Sequence, residues 1–508
     1  MHLILQKTVL TPLGDFKLFT LLHIFIFGII RLVLSIILPL LEIFMNFEEA
    51  KALLEANDQA HVLNFWGDLD AAQQEALLAQ IATLDFKSIT MTKNLLSAKN
   101  EAGEQGEMIP APVAELEGEA YEAAYRAGTL ELRSGKVGVL MVAGGQGTRL
   151  GYDGPKGCYP VGPLSNESLF YFHARKILAL EQEWETTVPF YIMTSQGNDA
   201  ATREFFAANN YFGLKPENVF FFVQSMWPAL TPDGKIVMDA KDHIFMSPDG
   251  HGGTLLALEK SGALADIQKR GLTSIFYFQV DNPMVEICDP AFIGYHTRNL
   301  SEISIKVCAK RDPNEGLGVV VVRDGKSQIV EYTEFTPEQK NERTEDGELK
   351  YKFGSVAIHM FSVDFLVREA HAGLPIHVAH KKVPFVNEAG ETVKPDAPNA
   401  FKFEKFIFDA LMDAKVSVNL AFDRTLEFSP VKNAEGSDSP ASCKADLSRK
   451  WAWWLEKAGI NVPFDKDGYP IIKIEIDPCF ANSPSMLAKR IEDGCAKIDA
   501  QSDIWLKA

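Results

Sequence analysis

The sequence predicts an α/β fold: a mixed, mostly parallel sheet preceded by a helical N-terminal region and followed by a small C-terminal domain. Three observations predict it. Before about Ala127 apolar residues recur at spacings of three and four, the signature of amphipathic helices. From Gly135 short β-branched and aromatic runs alternate with helical stretches, as in strands joined by crossover helices. Later, Asp324-Gly325 sits between two apolar runs and marks a two-residue hairpin.

The elements follow in order. "EEAKALLEAN" and "DAAQQEALLAQIATLD" read as helices of the N-terminal region. "KVGVLMVA" is a strand, "SLFYFHARKILALE" a helix, "PFYIMT" a strand, "DAATREFFAANN" a helix and "NVFFFVQ" a strand. "TSIFYFQVDN" and "EISIKVCAK" extend the sheet, and "GVVVVRDGKSQIVEY" supplies the hairpin. A tail containing "YPIIKIEIDP" closes the chain. The expected divisions are a leader over residues 1–44, a helical region over 45–134, a central domain over 135–431 and a C-terminal domain over 432–508.

Composition narrows the function classes. The chain has 508 residues, 46% hydrophobic and 23% charged, which suits two or three globular domains. A formal net charge of −18 works against any broad polyanion surface, so no nucleic-acid partner is expected, while a small anion in a local cationic pocket stays compatible. Six scattered cysteines (Cys158, Cys288, Cys308, Cys443, Cys479, Cys495) contain no Cys-x-x-Cys pair. They read as reduced thiols in a cytoplasmic protein. One segment disagrees: Leu18 to Leu41 is long and apolar enough for a bilayer, with Lys7 and Lys17 ahead of it in the manner of a signal anchor. Against that, Arg31 lies mid-span and Met45 opens a polar, helix-forming register. Two expectations stand: a membrane anchor, or an upstream start with the functional protein opening at Met45.

The chemistry concentrates in residues 140–157, "LMVAGGQGTRLGYDGPKG". A glycine-rich loop between a strand and a helix can press backbone N–H groups against an anion, and Arg149 and Lys156 supply the countercharge. A dinucleotide fingerprint would want a third glycine where Leu150 stands. A Walker loop needs Gly-Lys-Ser/Thr, but Lys156 lies between a proline and a glycine. What survives is a loop wrapping a nucleoside triphosphate.

"AGGQGTRLGYDGPKG" resembles the signature of the eukaryotic-type UDP-sugar pyrophosphorylases, and Met45 onward is similar to their UDP-N-acetylhexosamine branch. "MSPDGHGGTLLAL", "QVDNPMVEICDPAFIGYH", "IVEYTE", "HVAHKKVPFV", "NAFKFEKFIFDAL" and "EFSPVKNAEGSDSP" follow in the same order. The resemblance implies a glycosyltransferase-A-like (Rossmann-like) sheet on which UTP and a sugar 1-phosphate become a UDP-sugar and pyrophosphate, assisted by Mg²⁺. It implies that Arg149, Lys156, Lys402 and Lys432 neutralise phosphate charge. Val142, Ala143, Gly144 and Gly145 would face the nucleotide, Gln224 would read the uracil edge, and Gly250 would lie beside the nucleoside and sugar. Asp281 is implied near the phosphates as a Mg²⁺ contact, and Glu331 and Tyr332 near the hexosamine.

Two departures concern the sugar. His251 stands where the hexosamine branch has an asparagine, and it matches the Gly-His-Gly block of the glucose and broad-specificity branches. Ser355 stands where a second asparagine is expected. N-acetylglucosamine 1-phosphate is the favoured acceptor, with a glucose or broad-specificity enzyme as the alternative. A non-catalytic, membrane-tethered nucleotide-sugar-binding protein is the alternative of another class. Oligomeric state is not readable. Elsewhere, His377 and His380 lack a third metal ligand, Cys158 beside Lys156 is not expected to be a nucleophile, and Trp451, Trp453 and Trp454 read as packing.

Overall fold

The computed structural model describes residues 45–98 and 106–508. Both readings of the leader over residues 1–44 therefore lie outside the described residues. Among the described residues no helix is long and apolar enough to cross a membrane.

Two compact units emerge. One gathers residues 45–97 with Pro228–Phe245 and His380–Phe401. Helix α1 (Phe47–Ala56) starts from a reciprocal cap between Asn46 and Glu49, and α2 (Ala71–Thr83) from the same device between Asp70 and Gln73. Helix α3 (Phe86–Ala98) follows. Ala50, Leu54, Leu77 and Ile81 are the buried positions of α1 and α2, as the helical periodicity requires. Distant segments of this unit are joined by side-chain amides. Gln59 donates to the Gly234 carbonyl at 3.0 Å and accepts from the Ile236 N–H at 2.8 Å, and Gln80 accepts from the Ile244 N–H at 2.9 Å.

The second unit is built on a ten-stranded sheet. Its strands are β1 (Met108–Pro110), β2 (Val137–Val142), β3 (Phe190–Thr194), β4 (Val219–Val223), β5 (Ser274–Gln279), β6 (Ile303–Ala309), β7 (Val319–Arg323), β8 (Lys326–Val330), β9 (Phe353–Ser362) and β10 (Ser417–Ala421). The order is β1-β7-β9-β5-β2-β3-β4, with β6 pairing β9 and β10 and β8 pairing β7. Strands β4, β3, β2 and β5 run parallel to one another. Beyond them β9 turns the sheet antiparallel. The hairpin β7–β8 closes through Asp324 and Gly325, both at positive φ (53° and 76°), as a two-residue turn of this handedness demands.

Helices α4 (Gly118–Arg133), α5 (Leu169–Trp184), α6 (Asp199–Ala208), α7 (Thr254–Lys260), α8 (Pro290–Arg298) and α9 (Pro440–Lys457) belong to the same unit. The parallel strands read as unbroken apolar runs because both faces are covered. Val137, Val139, Met141, Phe276 and Phe278 enter one core, while Leu140, Tyr191, Met193, Ile275 and Tyr277 enter the other. A truncation such as Phe276→Ala in so enclosed a place costs about 3–5 kcal/mol. Residues from Lys432 onward, expected to form a small domain, contribute Leu447, Trp451 and Trp454 of α9 to the first core, together with Ile474 and Ile476. Trp453 is exposed.

The four parallel strands end side by side. Ala143 follows β2, Ser195 follows β3, Gln224 follows β4, and Asp281 lies two residues beyond β5. Ligands of open α/β sheets bind outside these carboxyl ends.

Candidate active site

The glycine loop leaves β2 with its carbonyls already held. Asn198, just ahead of α6, accepts from the Ser195 N–H (2.8 Å) and donates its amide to the Ala143 and Gly145 carbonyls (2.9 and 3.2 Å). The Gly145 carbonyl also accepts from the Lys156 N–H at 3.0 Å, bringing the short turn Lys156–Cys158 back beneath the loop. A side chain at Gly144 would press on Gln224, whose Oε1 lies 3.0 Å from the place of a Cβ. Gln224 is buried and donates through Nε2 to the Gly250 carbonyl at 2.7 Å. Gly250 adopts φ 81°, and a Cβ there would lie 2.4 Å from the Lys405 carbonyl oxygen, so only glycine fits. Backbone of the loop, the Gln224 amide and the Gly250 turn thus form one continuous surface.

Charge gathers at Asp281. Lys156 Nζ lies 3.2 Å from Asp281 Oδ2, both side chains being mostly buried. Burial alone would raise the carboxyl's pKa; the nearby ammonium groups of Lys156 and Lys432 overcome it and hold the group below its ordinary value. Lys432 arrives because the Val431 N–H donates to the Asp281 carbonyl at 2.8 Å. Asp281 and Lys432 line a cavity of about 160 Å³ together with His251, Gln279, Glu331 and Ser355.

Elsewhere in that lining stands a neutral imidazole. The Ile407 N–H donates to His251 Nδ1 at 3.1 Å, which leaves the ring proton on Nε2. Burial, with His377 adding to it, lowers the His251 pKa to about 4, and its ring stacks 5.4 Å from Phe406. Burial, reinforced by Glu334, raises the Glu331 carboxyl. Ser355 is anchored on β9 by its N–H to the Gly318 carbonyl (2.8 Å), beside a bulge in which Ala357 takes φ 58°.

The remaining expected residues stand differently. Arg149 is exposed in the turn Thr148–Leu150 beside the loop and does not line the cavity. Lys402 is half-buried on the strand Ala400–Glu404, also off the cavity lining. Tyr332 is 38% exposed, its ring near Gly316 at the cavity wall. Val142 ends β2, its carbonyl accepting from the Val280 N–H at 3.0 Å. The Cys158 thiol is pushed up to about 12 by burial, the opposite of an activated nucleophile. His377 and His380 lie on the strand His377–Lys381, and His377 pairs with Asp409 at 2.7 Å. No group of three or more His, Cys, Asp or Glu suited to a metal occurs among the described residues.

The sequence patterns known for UTP--glucose-1-phosphate uridylyltransferase match residues 97–483. That is well over half the chain. The chain belongs to this uridylyltransferase family. Within it, a human UDP-N-acetylhexosamine pyrophosphorylase-like protein 1 is 38% identical over 437 residues, covering 81% of this chain and 86% of that protein. The UDP-N-acetylglucosamine pyrophosphorylase of Saccharomyces cerevisiae is 34% identical over 445 residues, covering 83% and 93%. The crystal structure of the Trypanosoma brucei uridine diphosphate N-acetylglucosamine pyrophosphorylase in complex with inhibitor superposes with a TM-score of 0.76 at 27% identity, covering 90% of this chain and 97% of that one.

Two residues of this uridylyltransferase chain escaped the sequence reading. Asn198 looks like an ordinary residue ahead of a helix, and nothing local reveals that it ties the glycine loop. Asp249 is buried beside Gln224, its pKa raised to about 6 by burial against the opposing Gln224 hydrogen bond. Its position next to the Gly250 turn was the available signal.

Proposed function

We propose that this chain transfers the uridylyl group of UTP to a sugar 1-phosphate, with N-acetylglucosamine 1-phosphate the favoured acceptor. The observation that carries the reading is the meeting of Lys156 and Lys432 at an ionised Asp281, between the glycine loop and a cavity bearing His251, Glu331 and Ser355. In this reading an oxygen of the sugar phosphate bonds to the α-phosphorus of UTP while the bond to the β-phosphate oxygen breaks, and pyrophosphate leaves. Both reactants are anions. Fixed cations at their meeting point lower repulsion and stabilise the charge that gathers on the leaving group, worth several kcal/mol in such sites. Lys156 and Lys432 take that role, with Arg149 and Lys402 as further phosphate contacts.

The donor set suits Mg²⁺, which is commonly held by one or two carboxylates with substrate phosphates completing its shell. Asp281, kept ionised, is the residue that would hold it. When bound, the ion neutralises phosphate charge. For the uridine, the loop backbone from Val142 to Gly145 and the Gln224 amide offer the complementary donors and acceptors of a uracil edge. Gly250 borders the nucleoside, and Glu331 and Tyr332 border the sugar. A cytoplasmic location goes with this reading, since the six cysteines are scattered along the sequence and read as reduced thiols.

A glucose 1-phosphate or broad-specificity enzyme is the second reading, favoured by His251, whose Nε2–H replaces an amide, and by the short reach of Ser355. Pyrophosphate release from UTP with a panel of sugar 1-phosphates separates the two. Release with N-acetylglucosamine 1-phosphate at the highest kcat/KM is the expected result. Release with glucose 1-phosphate alone rejects the hexosamine assignment, and no release with any sugar favours a binding protein.

A further inference from the structure

Strand β6 reads Ile-Ser-Ile-Lys-Val-Cys-Ala and is buried almost throughout, yet it carries Lys306 with 1% of its side chain exposed. Its ammonium lies 2.9 Å from Asp289 Oδ2 and 2.7 and 2.8 Å from the two Glu427 oxygens, between the rings of Phe292 and Phe422. Those carboxylates belong to the two stretches that bear Asp281 and Lys432. The stretches are also tied directly: Asn282 donates to the Glu427 carbonyl (2.7 Å) and accepts from the Ser429 N–H (3.1 Å), and the Val431 N–H donates to the Asp281 carbonyl (2.8 Å). Behind the first stretch, Lys176 donates to the Pro283 and Val285 carbonyls, and Lys450 pairs with Glu286 at 3.2 Å. Lys306 does not line the cavity.

We infer that Lys306 is a positioning residue: by gripping Asp289 and Glu427 at once, it sets the Asp281 and Lys432 segments in register with each other. The inference rests on the uridylyl-transfer reading for its catalytic consequence. A buried ion pair adds little net stability compared with packed apolar groups, but it fixes direction. Direction is what two opposed charges need, since a displacement near 1 Å in a reacting constellation can cost about 10²-fold in rate.

The test uses the whole chain with Lys306→Met, Lys306→Arg and the triple variant Lys306→Met/Asp289→Asn/Glu427→Gln, the last leaving none of the three charges unpaired should the single variant fail to fold. Amide hydrogen exchange reads the brace without reference to activity. In the Met-containing variants exchange over 281–290 and 427–432 rises about tenfold or more, the peptide over 190–194 is unchanged, and arginine restores much of the protection. Initial rates with UTP and the best sugar 1-phosphate show kcat lower by about 10–10²-fold with KM within about threefold. Unchanged exchange in the two stretches overturns the inference. Exchange raised equally in every strand, or raised locally with kcat unchanged, assigns Lys306 to stability alone and overturns it too. Wild-type chain without transferase activity defeats the uridylyl-transfer reading instead, and the catalytic half of the inference with it, while the exchange data still decide the brace.

Discussion

At one end of the cavity Lys156 and Lys432 face a carboxylate held ionised; at the other, His251 is held neutral with its free N–H fixed on Nε2. Asp281 and His251 are both half-buried, so the difference is not one of exposure. It comes from company. Asp281 stands beside two ammonium groups, whereas His251 stands among Phe406 and Phe408 with a single backbone donor. Burial penalises charge at both, and only at the first do opposite charges outweigh it. In the uridylyl-transfer reading, the first end would hold anionic groups and the other would discriminate neutral ones by direction.

Breaking the charged end should have the largest effect. Lys156→Ala lowers kcat by about 10²-fold or more with the fold intact, read as pyrophosphate release and a retained unfolding transition. Lys432→Ala is expected to cost about tenfold, because Lys156 still faces Asp281; a loss equal to that of Lys156→Ala would show the two lysines acting as a unit. The neutral end should alter choice more than rate. His251→Asn shifts the kcat/KM ratio of N-acetylglucosamine 1-phosphate over glucose 1-phosphate upward by about three- to tenfold, from competition between the two sugars.

The smallest effect is on pH-dependent stability. His251 has its folded pKa lowered to about 4, so as pH falls below about 6.5 the unfolded chain binds a proton that the folded chain refuses. Stability from this group is present above pH 6.5 and declines towards pH 4. His251→Asn therefore loses less stability than wild type between pH 7.5 and 5.5, by on the order of 1 kcal/mol, measured as the change in denaturation midpoint. His173, His296 and His359, also held neutral by burial, give the same sign and remain in both proteins.

Local pattern carried most of the fold. The runs quoted for β2 to β5 and for α5 and α6 became those elements because period and burial agree, and Asp324-Gly325 could hardly be anything but the β7–β8 turn. Less was legible where the partner is far along the chain. Lys156 and Asp281 are 125 residues apart, and Lys306 and Glu427 are 121 apart. No spacing rule reaches so far, so Lys156 and Lys432 could be paired only through resemblance. Resemblance also named Arg149 and Lys402 with them; of these four cations Lys432 alone lines the cavity with Asp281, and Lys156 reaches it through its pair with that carboxylate. Lys306 did leave a trace: a lysine inside an apolar strand must find a carboxylate. Which carboxylate it finds is a property of the whole sheet.

The helical unit is assembled from three separated pieces of chain, residues 45–97, Pro228–Phe245 and His380–Phe401. On the ribosome, α1 and α2 emerge long before Gly234, Ile236 and Ile244, whose backbone groups Gln59 and Gln80 bind. At about 5–20 residues per second the wait from Ser97 to Pro228 is on the order of 10 s. For that interval Gln59 and Gln80 lack the Gly234, Ile236 and Ile244 backbone groups that tie the first piece to the second.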